Sequence, residues 1–478
     1  GFRGADIHSY LGVRRATAGR HYRLDTNHRS TQALVAAVNH AFERAEARAG
    51  EGAFMFRGSG GAEADALPFA PVRARGRDES FVTAGGHVPP MTLVLDATLQ
   101  DATSVREAYA QRCAERIVTL LNDARAGFDH PSEGFARLRP ADIAVLVRSG
   151  REAAAVRQAL RRRGVASVYL SDQDSVFASA QARDLLRLLR AVASPLDVRL
   201  TRAALATATL GLSLPELAQL AVDDAAFDAR SEWIRRLHAV WQGQGVLAML
   251  RQALHAMDLP ARWLHAAAGS ADPGGDAAAG DSERRLTTVL HLAELLQAAS
   301  ARLDGEQALI RWLATQIDGE GAGGDEQIVR LESDADLVQV VTVHKAKGLE
   351  YPLVFLPFAC SFRAVDRRHA RILSLAGADG QRTLHLQPSD DVIAAADRDR
   401  QREDLRLLYV ALTRARHALW VGVAAQTVGR GADCSAHRSA FGYLVGGGEP
   451  VDAAALAAQV DALAAPDSGI VVQHATAA

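Results

Sequence analysis

Apolar residues in the first 175 positions of the chain recur with two alternating periods. Residues 34–45 carry them at helical spacing, and 91–95 form a short strand-like run. The unbroken apolar run at 143–147 is typical of a strand buried in a parallel sheet. A helical pattern at 149–163 and a strand-like run at 165–170 follow it, so we predict a βαβ unit here.

The pattern changes between about residue 179 and residue 317, where helical patterns follow one another with hardly a strand between them. These patterns cover 185–192, 200–207, 215–222, 233–254, 286–303 and 308–317. Strand-like sequence returns at 337–343 and 353–356, before a helical pattern at 397–414 and a strand at 418–423. The sequence therefore predicts an α/β fold with a parallel sheet and an inserted all-helical domain.

The boundaries follow from these patterns. We predict an α/β domain in two parts, at 26–175 and 335–425, with the helical domain at 176–334 between them. Residues 57–90, which are rich in Gly, Pro and Ala, predict a long surface loop or insertion. Residues 426–478 read as a C-terminal tail with one short helix.

Composition excludes several classes of protein. The 478 residues include 54 Lys and Arg against 56 Asp and Glu, a net charge of −2, so the chain is not a polycation that coats nucleic acid. Its three cysteines lie far apart without a CxxC pair, which argues against a zinc ribbon and a disulfide-stapled secreted domain. We expect no secretion signal, and no apolar run reaches the roughly 18 residues that a membrane span needs. We expect a soluble, cytoplasmic protein with no membrane partner.

Only two lysines occur in the chain, Lys345 and Lys347. Neither follows a Gly, so the phosphate-cradling G-x-x-x-x-G-K-S/T loop, the Walker A motif, does not occur in this sequence. The chain also opens on Gly1 within what reads as the middle of a motif, and we expect it to be a fragment of a longer protein.

Residues 24–30 form the first of three polar segments that suit a ligand site. Arg29 stands at a predicted helix start beside the ring of His28. An Arg in that place can reach a phosphate bidentately while the ring stacks on a base. A capped helix with a surface Arg would give the same pattern, and this segment alone favours that alternative.

The second segment, residues 339–352, is the most specific of the three. A buried strand delivers Thr342, His344 and Lys345, and Gly348 then permits a tight turn ahead of Glu350. Thr342 and His344 alternate to the same side of the strand and could donate to a DNA backbone, while Glu350 could accept from a ribose hydroxyl. The alternative is a solvated strand end with incidental charges.

The third segment is a predicted helix over residues 403–416. Arg414 lies near its end, four positions after Val410 on the packed face. A rigidly held Arg can meet the charge that develops on a γ-phosphate during phosphoryl transfer. Exposed arginines in surface salt bridges are the alternative.

Taken in order, these segments and Phe2-Arg3-Gly4-Ala5-Asp6 ahead of them resemble the C-terminal signature motifs of the UvrD/Rep class of superfamily 1 DNA helicases. Shorter stretches at 142–149, 167–171, 174–177, 283–287 and 344–354 resemble the branch of this class that works in RecBCD-type complexes. The resemblance covers most of residues 1–425. It implies a second RecA-like core of the P-loop NTPase type, with residues 1–25 ending the first core and 426–478 leading to a nuclease domain.

The resemblance also implies a role for each matching residue. Arg29 corresponds to the Arg that contacts the γ-phosphate, Arg414 to the arginine finger, and Glu350 to the acid that binds the nucleotide sugar. His28 stands where relatives stack a Tyr on adenine, and Phe2 lies beside the family's base-stacking aromatic. The expected DNA contacts are Thr342, His344 and Lys345.

The function that the resemblance implies is ATP-dependent 3′-to-5′ unwinding of DNA in double-strand-break repair and recombination. The expected cofactors are ATP and Mg²⁺, bound mainly by the first core, and the expected partners are single- and double-stranded DNA with RecC-like and RecD-like subunits. No Lys follows residue 347, so the nuclease metal site of the family is absent from this sequence. We expect the fragment alone to be inactive.

Three rival interpretations remain open at this point. The chain could belong to a helicase-shaped subunit that only guides DNA or scaffolds its partners. It could belong to a stand-alone UvrD-like helicase. It could also be an unrelated Arg-rich α/β binding domain, which would show no dependence on nucleotide.

Overall fold

The chain divides into two units along its sequence. A computed structural model describes residues 24–57, 67–170, 176–268, 275–318, 336–365, 370–376, 382–428 and 433–475, with Gly431 and a few isolated positions before residue 24. The first unit combines residues 1–170 and 336–478, and the second comprises residues 171–335. The boundaries predicted at 175 and 335 lie within five residues of these.

The first unit is built on a seven-stranded sheet. The described strands are β1 (Thr26–Asn27), β2 (Arg73–Ala74), β3 (Ser80–Thr83), β4 (Gly86–His87), β5 (Met91–Gln100), β6 (Gly127–His130), β7 (Gly134–Arg137), β8 (Ile143–Val147), β9 (Ser167–Leu170), β10 (Val338–Thr342), β11 (Tyr351–Leu356), β12 (Ile372–Ala376), β13 (Arg382–Leu386), β14 (Ala415–Gln426) and β15 (Ile470–His474). The large sheet has the order β15-β5-β14-β11-β8-β10-β9, and every pair in it is parallel.

Helices cover both faces of this sheet, and others form the second unit. The described helices are α1 (Gln32–Ala47), α2 (Ala102–Asn122), α3 (Gly150–Arg161), α4 (Ala180–Ala193), α5 (Val198–Leu205), α6 (Leu214–Val222), α7 (Asp224–Gln244), α8 (Val246–Ala256), α9 (Leu259–Ala268), α10 (Gly275–Ser300), α11 (Glu306–Ile317), α12 (Asp390–Leu412), α13 (Ala440–Gly446) and α14 (Ala453–Asp461).

Alternating side chains of the strands divide the first unit into two apolar layers. In β5, Leu93 and Leu95 belong to the layer with α1, α12, α13 and α14, whereas Val94 belongs to the layer with α2 and α3. Both layers are needed to bury β8, whose five residues are all buried. Strands that are covered on both faces need continuous apolar runs, such as the one at 143–147. The structure therefore confirms the predicted α/β class with a buried parallel sheet.

Several predicted elements differ from the structure. Residues 67–90, predicted as part of a long surface loop or insertion, contain the short strands β2, β3 and β4. β5 extends to Gln100, beyond the predicted end at residue 95. Residues 433–475, which the sequence suggested to be a tail, contribute two helices and the edge strand β15 to the first unit. The partner strands of β2, β3, β5 and β15 lie far away in the sequence, so the local pattern carries little signal for them.

The second unit is helical throughout the residues that the structure describes, from α4 to α11. Its core includes Leu189, Ile234, Leu250, Leu292 and Leu313. The pattern predicted as one helix over 233–254 is two helices, because Gly245 between α7 and α8 has φ +90°. That conformation costs Gly little and breaks a helix.

The three cysteines, Cys113, Cys360 and Cys434, are buried and free, as the absence of paired spacing suggested. Among the described residues, no helix combines the length and apolar character that crossing a bilayer would require.

Candidate nucleotide and nucleic-acid sites

The loop that carries Arg29 is fixed to the start of β14. Asn27 Oδ1 accepts hydrogen bonds from the backbone N–H groups of Arg29 (2.8 Å) and Ser30 (3.0 Å). Ser30 Oγ donates to the carbonyl of Ala415 (2.8 Å), and the N–H of Thr31 donates to the carbonyl of Arg416 (2.9 Å). Thr31 then caps α1 with its side chain. The Arg29 backbone is therefore held where β14 begins. We call this side of the large sheet, where its parallel strands begin, the amino edge, and the side where they end the carboxyl edge.

Glu350 meets Arg29 at this edge. Gly348 adopts φ +91°, which allows the turn predicted from sequence, and Glu350 directly precedes β11. Arg29 Nε lies 2.7 Å from Glu350 Oε2, and Arg416 Nη1 lies 3.9 Å from Glu350 Oε1. The carboxylate thus orients one guanidinium directly and faces a second.

Arg414 occupies the junction between α12 and β14 and is only 9% exposed. Its Nε donates to the carbonyl of Val410 (2.9 Å), Nη1 to that of Leu349 (3.1 Å) and Nη2 to Thr413 Oγ1 (3.1 Å). Burial lowers the pKa of Arg414, the charge of Arg29 lowers it further, and Glu350 opposes both. Three hydrogen bonds make this guanidinium a rigid cation beside Arg29.

The three predicted nucleotide residues therefore share one edge of the sheet. β11 and β14 are neighbours, with Tyr351 opposite Ala415, and Glu350 and Arg414 are the residues just before them. Arg29 Nη1 also donates to the carbonyl of Thr413 at 3.3 Å. His28 is exposed next to Arg29, and Phe2 lies outside the described residues.

The predicted DNA residues lie at the opposite edge. Thr342 ends β10 and is level with Val147, the last residue of β8, whereas Leu353 of β11 is level with the first, Ile143. Because these strands are parallel, the residues that follow Thr342 leave the sheet at its carboxyl edge. Thr342 is half-buried, His344 is exposed and Lys345 is half-buried. The motif at 339–352 thus contributes Glu350 to the edge that carries Arg29 and Arg414, and its other predicted site residues to the opposite edge.

An ionic network around the buried Asp404, at the carboxyl edge, received no role from the sequence. Arg148, which follows β8, pairs with Asp404 of α12 and donates from Nη1 to the carbonyl of Ser361 (2.9 Å). Arg400 Nη1 also donates to Asp404 (2.7 Å), and Asp404 is 4% exposed. Helix α12 and the two residues after it therefore lead from Asp404, at the carboxyl edge, to Arg414, at the amino edge.

A second group of interacting side chains, Arg77, Glu79 and His417, contacts the Arg29 loop, and the sequence did not predict it. Arg77 Nη1 donates to the carbonyl of Arg29 (3.0 Å), and Arg77 forms an ion pair with Glu79. His417 Nε2 of β14 lies 3.3 Å from Glu79 Oε1. Burial lowers the pKa of His417 to about 4, against the opposing effect of Glu79, so the ring is neutral near pH 7. No local pattern marks Arg77 or Glu79, which lie in the segment predicted as a loop.

Comparison with known proteins gives the family of one domain. The profile of the UvrD-like helicase C-terminal domain matches residues 276–426, a range that includes Glu350 and Arg414 at the amino edge. Residues 276–426 of this chain therefore form a UvrD-like helicase C-terminal domain. The fold supports the assignment, because the matched residues include β10, β11, α12 and β14 of the parallel sheet.

Within the UvrD-like helicases, the chain is similar to RecB subunits, as the sequence motifs suggested. It is 38% identical to the RecBCD enzyme subunit RecB of Escherichia coli K12 over 98% of this chain and 38% of that protein. The RecB subunit of Haemophilus influenzae is 35% identical over 89% of the chain and 32% of its own length. That of Mycobacterium tuberculosis H37Rv is 34% identical over 87% and 35%. The chain spans between 32% and 38% of the length of these relatives.

Proposed function

We propose that this chain supplies the second motor core and helical subdomain of an ATP-dependent 3′-to-5′ DNA helicase of the RecBCD type, which works in the cytoplasm in double-strand-break repair and recombination. The observation that carries the proposal is the convergence of Arg29, Glu350 and Arg414 at one edge of the parallel sheet. Similarity to RecB subunits over nearly the whole chain supports it. RecC-like and RecD-like subunits are the proposed partners.

The amino edge suits a nucleoside triphosphate. Two guanidinium groups, of Arg29 and Arg414, are fixed before any ligand arrives, so they need little reorganisation to meet negative charge. ATP bound there would supply the phosphoryl group, Arg29 would contact the γ-phosphate and Arg414 would stabilise charge that develops on it. Glu350 would accept from a sugar hydroxyl while it orients Arg29, and the exposed ring of His28 could stack on the base.

Mg²⁺ and the remaining phosphate contacts would come from another core of the complete protein. Among the described residues, no group of three or more His, Cys, Asp or Glu side chains is placed to hold a metal ion. The sequence contains no Walker A loop. We therefore propose that the chain alone does not hydrolyse ATP and that hydrolysis requires both cores.

ATPase activity of the complete protein, expressed from the reading frame extended upstream of Gly1, tests this function. We expect hydrolysis that single-stranded DNA stimulates strongly, and no hydrolysis by the 478-residue chain alone. A complete protein that contains a Walker A loop but hydrolyses no ATP would favour a subunit that only guides DNA or scaffolds its partners. A monomer that unwinds DNA without partners would favour a stand-alone UvrD-like helicase.

Thr342→Ala combined with His344→Ala should weaken binding of single-stranded DNA, because Thr342 ends β10 and His344 follows it, at the edge where we place the DNA strand. Lys345→Ala should lower the slope of log K against log salt by about 0.7, the value for one phosphate contact. Fluorescence anisotropy at several salt concentrations would measure both effects.

Thr83→Ala combined with His87→Ala is the matched control for this prediction. It removes the same two side-chain types from β3 and β4, which belong to a separate four-stranded sheet that does not contain β10. DNA affinity equal to that of the wild type in the Thr342 and His344 variant would reject these contacts.

A further inference from the structure

Residues 73–77 run alongside the segment that carries Arg29. The N–H of Arg73 donates to the carbonyl of Asp25 (2.7 Å), and the N–H of Arg75 donates to that of Asn27 (2.9 Å). The third contact in this series comes from a side chain, because Arg77 Nη1 donates to the carbonyl of Arg29 (3.0 Å). Every second residue from 73 to 77 thus donates to the carbonyl group of every second residue from 25 to 29, in the candidate phosphate-binding segment.

Arg77 is itself held in place from the far side. Its Nε pairs with Glu79, and the two side chains are 25% and 17% exposed. Glu79 in turn faces His417, whose ring centroid lies 4.7 Å from that of Phe128. Burial raises the pKa of Glu79, but the hydrogen bond and charge of Arg77 outweigh it and hold that pKa below its ordinary value. The carboxylate therefore stays charged and keeps Arg77 oriented.

We propose that Arg77 is a positioning residue that fixes the backbone of Arg29, so that the Arg29 guanidinium meets the γ-phosphate of ATP. This inference rests on the proposed function. The side chain of Asn27 holds Arg29 only through its backbone N–H group. Arg77 holds the backbone carbonyl group of Arg29, on the other side of that residue. A displacement of about 1 Å at a reacting group can cost about 10²-fold in rate.

Arg77→Gln in the complete protein tests the proposal. We expect kcat of DNA-stimulated ATP hydrolysis to fall about 10- to 100-fold. Affinity for a non-hydrolysable ATP analogue should fall several-fold, while affinity for ADP stays unchanged because ADP has no γ-phosphate for Arg29 to contact. A purely structural role would weaken binding of both nucleotides, so the ratio of the two affinities separates the cases.

Two further variants keep the test decisive. Arg77→Lys retains the charge but lacks the planar fork that reaches Glu79 and Arg29 together, so it should remain impaired. Arg73→Gln is the matched control, since its side chain is exposed and its backbone N–H, which makes the contact to Asp25, is retained. It should behave as the wild type.

The possible results are distinct. If the wild type hydrolyses ATP and the affinity ratio is unchanged in both Arg77 variants, the positioning role is overturned. Equal loss of ATP-analogue and ADP affinity would also overturn it. Absence of DNA-stimulated hydrolysis in the wild type would instead overturn the proposed function itself. Should Arg77→Gln fail to fold, Glu79→Gln replaces it, with the same change of ratio expected to a smaller degree.

Discussion

Arg414→Ala in the complete protein should reduce the rate of DNA-stimulated ATP hydrolysis by about 10³- to 10⁵-fold, the effect of removing an arginine finger. The guanidinium is 9% exposed and makes three hydrogen bonds, so its position is set before nucleotide binds. Affinity for single-stranded DNA should change little, because the predicted DNA residues lie at the other edge of the sheet. Steady-state hydrolysis and anisotropy would measure the two quantities.

Two variants control for charge and for stability. Arg414→Lys keeps a cation but lacks the fork that reaches Val410, Leu349 and Thr413 together, so turnover should remain low. Arg398→Ala removes an exposed cation from α12, the helix that leads to Arg414; Arg398 pairs with Glu51, and its loss should leave turnover unchanged. Turnover of Arg414→Ala close to that of the wild type would refute the arginine-finger role.

Asp404→Ala should lower the free energy of unfolding of the first unit by about 3–5 kcal/mol, the usual cost of removing one partner from a buried ion pair. Asp404 is 4% exposed and accepts hydrogen bonds from Arg148 and Arg400. Its loss leaves both cations partly buried without their shared acceptor. Urea unfolding of the 478-residue chain, followed by circular dichroism, would measure the change.

Asp399→Ala provides the comparison on the same helix. Asp399 pairs with Arg402, but its side chain is 43% exposed, so we expect a change of at most about 1 kcal/mol. The Arg148→Ala, Asp404→Ala double variant should lose less than the sum of the single losses, since the two residues are in contact. A loss at Asp404 no larger than that at Asp399 would contradict the network.

The sequence predicted those strands whose signal is local. Residues 143–147 form one unbroken apolar run because β8 is buried on both faces, and the structure places the strand at these positions. β3 pairs with β6, which begins more than 40 residues later, and β15 pairs with β5 across most of the chain. Short strands that depend on such distant partners have no period of their own, so the sequence did not predict β3 and β15.

The candidate sites show the same difference between features with a local sequence signal and features that depend on distant parts of the chain. Arg29, Glu350 and Arg414 stand beside recognisable element ends, and the structure brings all three together. Thr342 ends one predicted strand and Glu350 precedes the next, so parallel pairing places them at opposite edges, whereas the sequence analysis treated residues 339–352 as one segment. Arg77 donates to a backbone carbonyl group, and every residue type carries that acceptor, so no residue pattern indicates this contact.

Strand β15 also decides where a recombinant version of this core can end. It pairs along Met91–Leu95 of β5 and so covers the N–H and C=O groups on one side of that strand. A polypeptide cut after α14 would leave an apolar strand edge open, and open edges recruit strands from other molecules. Expression boundaries that retain residues up to His474 should therefore give monodisperse material, whereas shorter ones invite aggregation.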